Sequence, residues 1–135
     1  MSKYQKLIVQ IIGALEAGIN GLEISEMNMT RFRLLYEQLV DSIIKTNPNS
    51  KLYLESILPV NHKLQQNRPT NVKIEDANNV TSQIAREKNQ NYIDLFKLYA
   101  GNTKELPDSM TSDGIHLKPS AYNIWYSAIK ELICN

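Results

Sequence analysis

Hydrophobic residues in the chain fall into two short dense runs and several stripes at helical spacing, separated by polar segments rich in Asn, Pro and Gly. The first run can be read two ways. Leu7, Ile8, Ile11, Ile12 and Leu15 sit at helical spacing, while Ile8-Val9 and Ile11-Ile12 are β-branched pairs that favour a buried strand. Gly13 interrupts both patterns, and Gly18-Ile19-Asn20-Gly21 ends them as a loop. Phe32, Leu35, Tyr36, Leu39 and Ile43 then share one face of a helix from about Thr30 to Lys45, with Asn28 or Thr30 as N-cap. Pro48 stops it, because the residue before a proline is pushed away from helical backbone.

Leu52 to Leu58 is nearly continuous apolar sequence, as expected of a strand covered on both faces, and Pro59-Val60-Asn61 closes it. His62 to Thr70 reads as a polar loop. Ala77, Val80, Ile84 and Ala85 predict a helix from Ile74 to about Lys88, and Asn91 to Leu95 a second short strand. A long loop from Lys97 to Ser112 follows; unstructured segments of that length in compact domains usually carry function. Pro119 opens the last helix, where its missing N–H is harmless, and Tyr122, Trp125, Ile129 and Leu132 form the predicted buried stripe. This order of elements predicts an α/β domain with a mostly parallel sheet. In such sheets ligands bind beyond the carboxyl ends of strands, where Asn20, Asn61 and the Asp113/His116 pair would converge.

Composition narrows the function classes. The 135 residues suit one domain, with 42% hydrophobic and 21% charged residues and a net charge of +1. No Lys/Arg block marks a nucleic-acid footprint, and no run is long enough for a membrane span. Cys134 stands alone, which leaves neither a disulfide framework nor metal-ligand cysteine spacing, and no cofactor or metal is expected. Lys3 and Lys6 ahead of Leu7 to Ile12 faintly imitate a signal peptide, but Ala14-Leu15-Glu16-Ala17 is a poor cleavage site; the expected location is cytoplasmic rather than secreted.

The candidate chemistry sits in Thr111-Ser112-Asp113-Gly114-Ile115-His116-Leu117. A histidine that moves protons needs a carboxylate to fix its tautomer and stabilise its charged form, and this loop holds both three residues apart. The same residues also fit an Asp that caps the following helix beside a surface His. Asn61 reads as a loop residue, His62 as solvent-exposed and without partners for a metal site, and Ser109 and Ser112 as lacking the strand-end support of a nucleophile.

Ser112 to Leu117, followed by Tyr122 and Trp125, resembles the C-terminal block of the SGNH (GDSL-type) hydrolases, esterases and acylhydrolases with a flavodoxin-like fold. Leu58-Pro59-Val60-Asn61 and Asn91 to Leu95 are similar to two strand segments of that family, and Gly18-Ile19-Asn20-Gly21-Leu22 to its Gly-x-Asn-Asp block. The resemblance covers residues 14–133 in matching order. It implies a single domain over residues 1–135 with a flavodoxin-like three-layer fold, truncated at the N-terminus to about three parallel strands with flanking helices. It further implies Asp113 and His116 as catalytic acid-base residues, Asn20 as an oxyanion donor, and a small acyl-ester or acetylated-sugar substrate.

The departures are specific. No Gly-Asp-Ser occurs anywhere, Ser2 is the only serine before Asn20, and Gly21 stands where the block has Asp. In a second register, Gly13-Ala14-Leu15 would occupy that block with Leu15 in place of Asn, though Gly18-Ile19-Asn20 gives the more usual distance to the helix at Thr30. The expectation is therefore a domain with an Asp-His pair and no nucleophile, inactive alone. The alternatives are a non-catalytic interaction module that forms a homodimer through an exposed sheet edge, or a half-enzyme completed in trans.

Overall fold

A computed structural model describes residues 5–9, 28–66 and 70–134. Three parallel strands, β1 (Gln5–Val9), β2 (Ser50–Glu55) and β3 (Asn91–Ile93), lie in the order β1-β2-β3. β1 aligns Val9 with Leu54, and β3 aligns Ile93 with Glu55. The ambiguous first run is thus a strand over its first part, and its remainder lies outside the described residues. Helices α1 (Met29–Thr46) and α2 (Asn71–Glu87) cover one face, and α3 (Leu95–Ala100) and α4 (Tyr122–Cys134) contribute to the core on the other. The α/β parallel-sheet reading is correct.

The two faces follow from the alternation along β2. Leu52 and Leu54 enter a core with Phe32, Tyr36 and Val40 of α1 and Ile74, Ala77 and Ile84 of α2. Tyr53 points the other way, into a core with Ile93, Leu95, Tyr99, Leu106 and Ile129. Caps set the helix starts: Asn28 accepts the Arg31 N–H, Thr70 that of Lys73 and Asp94 that of Lys97.

Several boundaries and faces differ from the sequence reading. The stripe on α1 is narrower, because Leu35 and Leu39 are exposed while Phe32, Tyr36 and Val40 are buried. Among the described residues α1 packs against the sheet and α2 through the single i, i+4, i+8 row Phe32, Tyr36 and Val40. Asp94 caps α3, so the strand expected to reach Leu95 stops at Ile93, and the expected loop from Lys97 begins as helix and later forms a 3-10 turn at Asp108–Met110. On α4, Ile129 is buried and Trp125 half-buried, while Tyr122 and Leu132 are exposed.

β2 ends at Glu55 rather than Leu58 for a hydrogen-bonding reason. The Ser56 N–H still donates to Ile93 O of β3 at 3.0 Å, and from Ile57 on the chain pairs with side chains instead. Asn78 of α2 accepts the Ile57 N–H at 2.7 Å and donates to the Ile57 carbonyl at 2.9 Å. Asn71 does the same for Val60, at 2.9 Å in both directions, and also donates to Lys104 O at 2.7 Å. The bonds to Ile57 and Val60 are buried, where an unmet backbone group is costly. These two amides stand in for a neighbouring strand and deliver Asn61 to a fixed place. Replacement Asn78→Leu should therefore destabilise the domain by about 2–4 kcal/mol, since it orphans the N–H and C=O of Ile57 together. Urea unfolding measures this, and a loss under ~0.5 kcal/mol would show that the clamp is dispensable.

Candidate active site

The loop from Thr111 to Leu117 is a closed unit built on a buried threonine. An antiparallel bridge joins Thr111 to Leu117, and the Lys118 N–H donates to Met110 O at 2.8 Å. Inside it, Thr111 Oγ1 donates to His116 O at 2.8 Å and accepts the Gly114 N–H at 2.9 Å. Asp113 Oδ1 accepts the N–H groups of Ile115 at 2.9 Å and His116 at 2.8 Å, an Asx-type turn that fixes the carboxylate. Its other oxygen, Oδ2, lies 2.6 Å from His116 Nδ1.

These bonds determine the chemistry of the pair. The His116 ring N–H and then the two backbone N–H groups hold the Asp113 carboxyl well below the usual carboxylate range. An ionised carboxylate only accepts, which assigns the proton of a neutral His116 to Nδ1 and leaves Nε2 with its lone pair. Among the described residues no hydroxyl bonds Nε2; Ser109 and Ser112 are both exposed. The His116 side chain is 80% exposed and that of Asp113 48%. The pair is oriented but wet.

The loop is also docked onto the segment after β2. Asn61 donates its backbone N–H to Gly114 O at 2.8 Å, and Gln65 Nε2 donates to Asp113 O at 2.7 Å. The Asn61 side chain, 5% exposed as a residue, donates to Leu106 O at 2.8 Å and Asp108 Oδ1 at 2.6 Å. Those contacts, with help from Lys63, pull the Asp108 carboxyl down. Asn61 is therefore a buried connector, not the plain loop residue its sequence suggests. His62 is half-buried rather than free, with Nδ1 2.7 Å from Glu105 Oε1 and its N–H donating to Glu105 Oε2. No local pattern could have revealed either contact, since the partners lie more than 40 residues away.

Asn61 and Asp113/His116 thus converge, as expected of groups following strands. Asn20, the third member, lies outside the described residues. A cleft between α2 and α3, lined by Glu75, Asn79, Ser82, Asp94 and Lys97 among others, shares no lining residue with residues 111–117. Among the described residues, no group of three or more His, Cys, Asp or Glu side chains could hold a metal, and no helix is long and apolar enough to cross a membrane.

The family model for GDSL-like lipase/acylhydrolase matches residues 14–124. The chain belongs to that family. Solved structures agree on the fold of this GDSL-like domain. One from Streptococcus pneumonia, named for platelet activating factor, superposes with a TM-score of 0.77 at 19% identity, covering 96% of this chain and 59% of its own. A lipase/acylhydrolase from Enterococcus faecalis gives 0.64 at 20% identity, covering 80% and 52%. A mutant acetyl-xylooligosaccharide esterase from Geobacillus gives 0.65 at 16% identity, covering 97% and 59%. The GDSL-like chain therefore spans between half and three-fifths of the length of these structures. A search of curated proteins finds no sequence match.

Gly114 is the steric key of the docked loop. Its φ is +89°, and a Cβ there would stand 2.7 Å from Gln65 Cγ and 3.0 Å from both Asn61 O and Leu64 Cβ. Gly114→Ala should cost roughly 2–4 kcal/mol, combining left-handed strain with a clash against the 61–65 segment. Urea unfolding reads the cost, and NMR should show the amide signals of Asn61 and Gln65 moving with those of the loop. Unchanged stability would mean that the loop is not docked in solution.

Proposed function

We propose that this GDSL-like chain acts as a single domain carrying the acid-base half of an ester-hydrolysis site and lacking its nucleophile. In this reading His116 Nε2 is the general base, Asp113 orients and stabilises the imidazole, and the Asn20 side-chain amide donates to the developing oxyanion. The substrate class is a small acyl ester or acetylated sugar, a reading supported by family membership and by the esterase and acylhydrolase names of the similar structures. The lone Cys134 fits a cytoplasmic setting.

The 2.6 Å contact between His116 Nδ1 and Asp113 Oδ2, with Nε2 bonded to no hydroxyl among the described residues, carries this proposal. A positioned general base contributes about 10²–10⁴-fold to a rate, but only where there is a proton to take. The chain alone is therefore expected to be inactive. Purified protein should neither hydrolyse a nitrophenyl acetate ester above background nor label with a fluorophosphonate. Labelling of one serine, abolished by His116→Ala, would overturn the inactive reading.

One observation favours a second reading, in which the domain works as an assembly component. Among the described residues β1 pairs only with β2, and none of them forms a strand along its other edge. A nucleophile-bearing polypeptide completing the site in trans, or a second copy forming a homodimer, could occupy that edge. Light scattering of the chain alone should show association through this edge, and a monomer at high concentration would remove the homodimer.

A further inference from the structure

Glu55, the last residue of β2, is buried in a place that its neighbours do not explain. By the alternation of the strand it points to the same face as Tyr53, toward α4. It is 7% exposed, and neither carboxyl oxygen makes a hydrogen bond; nor does the buried indole Nε1 of Trp125. Burial pushes the Glu55 carboxyl up to about 7, and the nearby Trp125 N–H is the one group pulling it down. The Tyr99 and Tyr36 hydroxyls feel its charge, and neither supplies a positive one. The indole has a single N–H, so Trp125 can serve at most one of the two carboxyl oxygens.

Its position says where a donor could come from. The last aligned pair between β1 and β2 is Val9 with Leu54, so Glu55 lies one residue beyond the paired part of β1, at the carboxyl end of the sheet. Trp125 sits beside Tyr122 and Tyr126 of α4, which are 51% and 58% exposed. The chain spans 59% and 52% of two similar structures. A buried carboxyl without a partner thus lies at the carboxyl end of the sheet, against a helix with exposed aromatic side chains.

We propose that Glu55, with the Trp125 indole beside it, is a buried receptor for a cationic hydrogen-bond donor, an ammonium or guanidinium side chain on the polypeptide that completes the sheet. The source of that side chain rests on the completion-in-trans reading; the receptor does not. An ionised carboxylate without a partner is expensive inside a protein, and a cation meets both its charge and its open lone pairs.

Trp125 is the only tryptophan in the chain, so its emission reports on the receptor directly. The probe is n-butylammonium chloride at pH 8.5, with 1-butanol and sodium chloride at equal concentration as controls. A saturable change in Trp125 emission and a rise in the thermal midpoint are expected, at least tenfold weaker in Glu55→Gln. The response should also fade toward pH 5.5. With the folded pKa raised to about 7, the carboxyl is neutral below that value and ionised above it, so cation binding requires the higher pH. Should Glu55→Gln fail to fold, the pH series on the unaltered protein decides. An equal response to butanol, or no saturable response, overturns the receptor. If a nucleophile-bearing polypeptide restores ester hydrolysis with an affinity that Glu55→Gln leaves unchanged, the receptor falls while completion in trans stands. If butylammonium binds saturably and no polypeptide restores hydrolysis, completion in trans falls while the receptor stands.

Discussion

The arrangement around His116 depends on one constraint: the burial of Asn61 between the end of β2 and the loop that carries the Asp-His pair. Its backbone N–H holds Gly114, and its side-chain amide holds Leu106 and Asp108. Asn61 itself is held in place because Asn71 and Asn78 of α2 pair with the extended chain at Val60 and Ile57. The sequence of causes runs from helix to strand end to loop to imidazole. The links from helix to Asn61 are buried amide hydrogen bonds that would leave unmet polar groups if broken, while the last one, from Asp113 to the imidazole, is exposed.

Orientation and electrostatic strength are separate properties here. The Asx-type turn and the ring contact settle the direction and tautomer of His116, yet its side chain is 80% exposed. Water screens the field of a carboxylate, so much of the strength of such a pair is realised only once a site is closed and dry. A pair this well oriented and this open has its direction set by the loop and its electrostatic strength left to whatever closes over it. The same incompleteness recurs at Glu55, where a carboxyl is already buried but has no partner.

Much of the fold was legible from local pattern. Parallel strands, helix order, the cap at Asn28 and the contact between Asp113 and His116 all rest on spacing within a few residues, and the structure has them. What local pattern missed depends on partners distant in sequence. Leu52 to Leu58 reads as one strand because burial alone gives an apolar run; that the ladder stops at Glu55 is decided by Asn71 and Asn78. Asn61 and His62 look like solvent-facing loop residues because Leu106, Asp108 and Glu105 lie over 40 residues downstream. Tyr122 and Leu35 fit their helical stripes, but a stripe says nothing of how wide the neighbouring sheet will be.

The central claim is that this half of the site is pre-formed without the rest. Long-range proton–nitrogen NMR of His116 in the isolated chain tests it most directly. A pre-formed pair predicts that the neutral form of the imidazole carries its proton at Nδ1, a preference lost in Asp113→Asn and weakened in Asn61→Ala. A mixture of both tautomers, unchanged by either substitution, would mean that the loop organises nothing on its own and would contradict the account.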